Sequence, residues 1–193
     1  MSRASESVDP SPLRRRFLDA GMRVLGRDGY AGFKQAAICA ETGLTTGAFY
    51  HSFRNWGEFE RALIDHWRDE ATDRLVAWID THPSPHERVD ALISVALVLP
   101  HRSEAAIRVW AAGDPQVRAA LDEVDRVRRE AVARYTREIG VDAEHADRLA
   151  GTAMLLLIGH ESAGTGIDEL EWSMRHSLET DPHVQAAIAA SGR

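Results

Sequence analysis

One cysteine, Cys39, stands in 193 residues. No internal disulfide framework is available, and the chain suits a reducing compartment. No apolar run approaches the roughly 18 residues that span a bilayer; the longest, Leu92–Leu99 and Met154–Ile158, fall far short. The opening stretch MSRASESVDPSPLRRR lacks the apolar core of a signal peptide. A cytoplasmic protein with no membrane partner is expected. β-Branched runs are short, turn residues do not recur at hairpin spacing, and no strand or repeat is predicted. Catalytic and metal motifs are missing too. His86-Glu87 and His160-Glu161 lack a second histidine four residues after the first, and none of the nine histidines pair at i, i+4 on one helix. There is no CxxC, GxSxG or glycine-rich phosphate loop, and Gly164-Thr165-Gly166 reads as a helix stop. No enzyme activity, resident metal or cofactor is expected.

What is present is helix after helix, with 44% hydrophobic residues, enough for a packed core. Apolar positions at period 3.6 predict about nine helices in an all-α chain. Residues 1–12 read as a mobile arm. The first helix carries Phe17, Ala20, Val24 and Leu25 and stops near Asp28–Gly29. Asn55 caps a long helix containing Phe59, Leu63, Trp67, Leu75 and Trp78. Further helices start at Glu87, at Ser103 as cap, after Gly113–Asp114–Pro115, at Ala143 and at Asp168 as cap. A last short helix or a frayed tail follows Asp181–Pro182. The net charge of −7 divides unevenly: residues 1–56 hold eight Lys or Arg and five Asp or Glu, or +3, and residues 57–193 hold 15 and 25, or −10. A mildly basic head on an acidic body fits a nucleic-acid-binding domain joined to a body with another role. The expected organisation is an arm over 1–12, a DNA-binding domain over 13–56 and a helical domain over 57–193.

The segment Gly32–Phe53, GFKQAAICAETGLTTGAFYHSF, is the most informative. It reads as a helix over roughly Phe33–Thr42, a tight turn at Gly43, and a two-turn helix capped by Thr45. Phe49 and Phe53 would be buried. Thr45, Thr46, Gly47, Tyr50 and His51 would be shown. A short helix with one dry side and one side of Thr, Tyr and His makes sense in a DNA major groove.

The run from Phe17 to Phe53, then Asn55 and the helix from Trp56, resembles the N-terminal domain of TetR-type transcriptional regulators. The matching pieces are FLDAGMRVLGRDGY, ICAETGL, TTGAFYHSF and NWGEFERAL. The FYxxF ending after a glycine-containing short helix is the specific part, and by motif the resemblance covers residues 13–65. Two positions depart from it. Gly32, Phe33 and Lys34 stand where many members carry a Thr or Ser pair, which leaves Gly32 as the cap. Trp56 stands where many carry a phosphate-facing Lys. The resemblance implies a ligand-responsive repressor that binds double-stranded operator DNA as a homodimer. It implies groove contact by Thr45, Thr46, Gly47, Tyr50 and His51, and phosphate contact by Lys34, Arg54 and the Arg14–Arg16 run.

Two further roles fall to the body. His66, Trp67, His101, Trp110 and Tyr135 are expected to line a pocket for an unknown small-molecule effector; the alternative is that the aromatics fill the core and the histidines sit on the surface. The helices Ala143–Ser162 and Asp168–Leu178, with Leu156, Ile158 and Trp172, are expected to form a dimer interface; the alternative is the core of a monomer. The competing functional reading is a helical ligand-binding or protein-interaction module without DNA binding.

Overall fold

The structure, a computed structural model, describes residues 11–191, so most of the expected arm lies outside the described residues. The described residues are all-α. The elements are α1 (Pro12–Gly32), α2 (Gln35–Thr42), α3 (Thr46–Ser52), α4 (Trp56–Arg68), a π-helical turn (Asp69–Asp73), α5 (Arg74–Asp80), α6 (Pro85–Val98), α7 (His101–Ala111), α8 (Pro115–Glu138), α9 (Ala143–Ala163), α10 (Ile167–Glu179) and α11 (Pro182–Ser191). The segments α4, π-turn and α5 follow one another without a break. Counting them once gives ten helical rods among the described residues, against about nine expected. The tail after Asp181 is helical because the Asp181 carboxylate accepts the His183 and Val184 N–H groups, which would otherwise be orphaned in the first turn.

Local chemistry sets most boundaries. Ser11 caps α1 with Pro12 in its first turn, and Ser84 and Glu87 form a reciprocal capping box on α6. Asp114 and Asp142 cap α8 and α9. Three predicted caps are corrected. Gly32 does not cap α2: it closes α1, and Lys34 occupies the cap position with no side-chain bond. Ser103 does not open α7, which begins at His101 after Pro100; its hydroxyl instead donates to the Met22 carbonyl at 2.8 Å. Asp168 lies in the first turn of α10, behind Gly166 at the cap.

The aromatic residues of the head build its core. Phe17 meets Phe49 edge-on at 5.5 Å between ring centroids, and Phe49 meets Phe59 at 5.2 Å. Each such side chain, fully withdrawn from water, contributes about 1.5–3 kcal/mol. This core does not stop at the head. It continues through Trp67, Ile107, Trp110, Leu121 and Val124 of α4, α7 and α8. Head and body are therefore joined twice: along the α4–α5 rod, and across α1 and α7. At the second junction the backbones come close. A Cβ at Gly26 would lie 2.8 Å from the Ser103 hydroxyl, so glycine is what lets α7 seat on α1.

Candidate nucleic-acid interface and ligand cavity

The short helix α3 is held by its ends and one buried face. Thr42 ends α2, and Gly43 follows in the left-handed region at φ 67°, a conformation that costs L-residues with a Cβ roughly 1–2 kcal/mol. Thr45 then caps α3, its hydroxyl accepting the Ala48 N–H at 3.2 Å. Phe49 and Phe53 are buried against Phe17 and Phe59. Burying that side turns Thr45, Thr46, Gly47, Tyr50 and His51 to the exterior, and all five are exposed. Tyr50 is 52% exposed, and its hydroxyl donates to the Gln35 carboxamide oxygen at 3.4 Å. Gln35, in the first turn of α2, is a neighbour of this face that sequence reasoning missed; a lone Gln carries no distinguishing pattern.

The basic residues around this face have different employments. Lys34 is exposed at the start of α2. Arg54 is exposed, but its guanidinium donates to Glu58 at 3.1 Å. The Arg54 backbone N–H, the Arg54 side chain and Arg14 together hold the Glu58 carboxyl down at about 2. Arg14 also donates to the Ser52 carbonyl at 2.6 Å and lies over the Phe53 ring. Arg16 donates to the Thr42 carbonyl at 2.8 Å. Arg14 and Arg16 thus satisfy carbonyls at the ends of α3 and α2, which the charge pattern alone could not distinguish from phosphate contacts.

The five residues expected around one pocket are not brought together. His66 pairs with Asp19 of α1 at 3.0 Å. Trp67 donates its indole N–H to Glu104 at 3.2 Å inside the core. Trp110 stacks on Tyr30 at 5.2 Å and borders an open cleft between α4 and α8. Tyr135 donates its hydroxyl to Asp80 at 3.0 Å. His101 stands edge-on to His160 at 4.5 Å, beside a surface cleft near α1 and α10. Each aromatic polar atom among Trp67 and Tyr135 already has an internal partner, as burial requires.

An apolar cavity of about 100 Å³ lies elsewhere, between the π-turn and α5 on one side and α6, α8, α9 and α10 on the others. None of the five expected residues lines it. Its wall is aliphatic side chains and two methionines, Met154 and Met174, with Thr72, Arg128, Thr136 and Ser177 as its polar members.

Arg128 ties this wall to α7 and the π-turn. Its guanidinium holds both Glu104 carboxylate oxygens at 2.7 Å and the Ala71 carbonyl of the π-turn at 3.2 and 3.3 Å. Burial alone would raise the Glu104 carboxyl; the adjacent Arg128 charge and its hydrogen bonds outweigh that and bring it to about 2. Beside this pair, Arg108 bridges Glu161 at 2.7 Å and Asp125 at 2.8 Å. Burial pushes Glu161 up. One polar seam therefore joins α4, the π-turn, α7, α8 and α9.

The expected interface residues fall on different faces. Trp172 is 62% exposed, with its ring stacked on His176 at 4.7 Å. Ile158 is half-buried, and Leu156 lines the cavity. Leu155, its neighbour, is 75% exposed. Helical rotation of one residue, about 100°, separates the two, and an apolar run offers no polar residue to mark the boundary.

Residues 17–58 match the family described as "Bacterial regulatory proteins, tetR family". The HTH-type transcriptional regulator BetI of Brucella suis is 30% identical over 185 residues, which cover 94% of this chain and 89% of that protein. The chain belongs to the TetR family. It is a helix-turn-helix transcriptional regulator, and the matched residues include α2 and α3. BetI of Rhizobium meliloti is 28% identical over 194 residues, covering 94% of this chain and 87% of the relative. The fold matches solved TetR-like structures at low identity. A transcriptional regulator from Saccharomonospora viridis, solved in complex with choline, has a TM-score of 0.75 at 21% identity, covering 89% of this chain and 97% of the other. A transcriptional regulator from Rhodococcus sp. Rha1 has a TM-score of 0.72 at 18% identity, covering 91% and 97%. No helix among the described residues of this TetR-family regulator is long and apolar enough to cross a membrane.

Proposed function

We propose that this regulator is a homodimeric, cytoplasmic repressor that leaves its operator when a small molecule enters the body cavity. The observation that carries the DNA half is Gly47. A Cβ there would meet one neighbour, Thr45 Oγ1 at an ordinary 3.7 Å, and the helix around it is regular. Nothing inside the fold asks for glycine. A close approach of DNA backbone to the start of α3 does. Thr46, Tyr50 and His51 then face the groove, while Lys34 and Arg54 reach phosphates, Arg54 exchanging Glu58 for a phosphate oxygen.

The release half rests on connectivity. The cavity wall includes Ala71 and Thr72 of the π-turn, which continues into α4 and so into the motif. A ligand favouring a wider cavity shifts the population toward an arrangement in which the two heads of a dimer no longer match one half-site spacing. For the dimer, the exposed faces of α9 and α10, with Leu155 and Trp172, offer an apolar surface of the kind a two-fold interface covers.

A mobility shift on the promoter region upstream of the chain's own reading frame tests the reading. Tyr50→Ala is expected to weaken the shift by about 5- to 150-fold, the loss of roughly 1–3 kcal/mol of groove contact. Wild-type binding by Tyr50→Ala would remove α3 from the groove.

A further inference from the structure

We infer that the cavity takes an electrically neutral, predominantly aliphatic molecule, and that it excludes a quaternary ammonium of the kind bound by the Saccharomonospora viridis neighbour. The inference rests on the proposed reading of the cavity as an effector site, and it deepens that reading by naming the ligand's chemistry.

The wall supplies what decides charge. Among the described residues, no aromatic ring and no carboxylate lines the cavity. A quaternary ammonium gives up its hydration on entry and is repaid in a protein by aromatic faces or a counter-ion. Neither is available here. The Trp and Tyr side chains that would make a cage are spent in the core: Trp67 on Glu104, Tyr135 on Asp80, and Trp110 on Tyr30. An anion fares little better. Arg128, the one cationic member of the wall among the described residues, is already neutralised by two hydrogen bonds from its guanidinium to Glu104, and its remaining contacts hold the Ala71 carbonyl. Two of the three wall hydroxyls are engaged as donors: Thr72 to the Arg68 carbonyl, and Thr136 to the Val132 carbonyl. These threonines keep spare acceptor capacity, which suits a single ligand hydroxyl rather than a charge.

Size follows from volume. About 100 Å³ is the room of roughly three water molecules, and smaller than the roughly 150 Å³ apolar cavity that accepts benzene. A molecule of medium chain length therefore enters by displacing side chains. Met154 and Met174, unbranched and polarizable, are the wall members suited to move. Filling the space presses on Ala71 and Thr72, where the π-turn meets the Arg128 clamp, so ligand size and operator release are linked through the same atoms.

The test uses the full chain, with 1-octanol and choline chloride as probes, in calorimetric titration and thermal melts. Octanol in hundredfold excess over its Kd is expected to raise Tm by about 5–10 °C, and choline to leave it unchanged. Ala153→Leu and Ala96→Leu each place a branched side chain into the wall from a different helix, and each is expected to weaken octanol by tenfold or more. Two sites guard against one variant failing to fold. Tighter binding of choline than of octanol overturns the inference. So does the absence of octanol binding, or octanol affinity unchanged in both folded variants. Octanol binding that leaves the promoter complex intact supports the ligand class and defeats the regulatory reading instead, which keeps the two failures distinct.

Discussion

Gly47→Ala separates a residue kept for DNA from a residue kept for the fold, because the two predict opposite signs. Apart from its chain neighbours and the helix's own backbone, the added methyl meets only Thr45 Oγ1, at 3.7 Å, within 4 Å. Glycine inside a helix costs up to about 1 kcal/mol relative to alanine, and less near an end, where Gly47 sits one residue after Thr46 begins α3. The variant should therefore be as stable as wild type or slightly more so, with Tm raised by about 0–4 °C for a chain of this size. Its affinity for promoter DNA should fall, since a methyl group at the point of closest approach displaces backbone and neighbouring contacts worth roughly 1–3 kcal/mol, or about 5- to 150-fold. Differential scanning calorimetry and fluorescence anisotropy on the same preparation read both quantities. A lower Tm would mean that an internal constraint on Gly47 had been missed. An unchanged Kd would mean that DNA does not come close to this face.

Three further expectations concern the turn, the seam and the assembly. Gly43→Val should cost about 1–2 kcal/mol, because the backbone sits at φ 67° while no atom within 4 Å would clash; a Tm drop of about 2–8 °C is expected, and an unchanged melt would refute the strain argument. Arg128→Leu leaves Glu104, 1% exposed, as a buried carboxylate without its counter-ion, a loss of about 3–5 kcal/mol and about 6–20 °C in Tm. In wild type the depressed Glu104 carboxyl contributes stability above the ordinary carboxylate range, and that contribution fades as pH falls toward about 2. In the variant burial dominates and the sign reverses, so the gap to wild type should narrow on acidification; a gap independent of pH would contradict the pairing. Leu155→Glu, at a position 75% exposed in the single chain, should leave each chain folded but shift light scattering from dimer to monomer; a dimer that survives would move the interface off this face of α9.

The helix-turn-helix was legible because its information is local. Gly43, Thr45 and the Phe49–Phe53 spacing each specify a neighbouring backbone feature, and the structure places a left-handed turn, a cap and a buried face at those residues. The cavity was not legible because it is assembled from residues between Ala71 and Leu178, and its aliphatic lining is the same in kind as packed core. Trp67, Trp110 and Tyr135 drew attention as aromatic residues with polar atoms. The atoms that occupy them, on Glu104, Tyr30 and Asp80, lie on other helices. Ser103 read as a cap from its place after Pro100 and His101, whereas its hydroxyl reaches a carbonyl 81 residues earlier in the chain. The second junction between head and body, α1 on α7, left only Gly26 as its trace. The Arg14–Arg16 charges were visible, but the capping of carbonyls by Arg14 and Arg16 depends on where α3 and α2 end.

Footprinting on the promoter region, with the oligomeric state of the complex measured in parallel, tests the central claim most directly. Two chains should protect a near-palindromic site whose half-sites lie about one helical turn, 10–10.5 base pairs, or a multiple apart, so that two α3 helices reach successive faces of the major groove. Protection should need about 5- to 150-fold more protein with Tyr50→Ala, and should vanish with 1-octanol. Uniform protection without sequence preference, or binding by a single chain, would contradict the account.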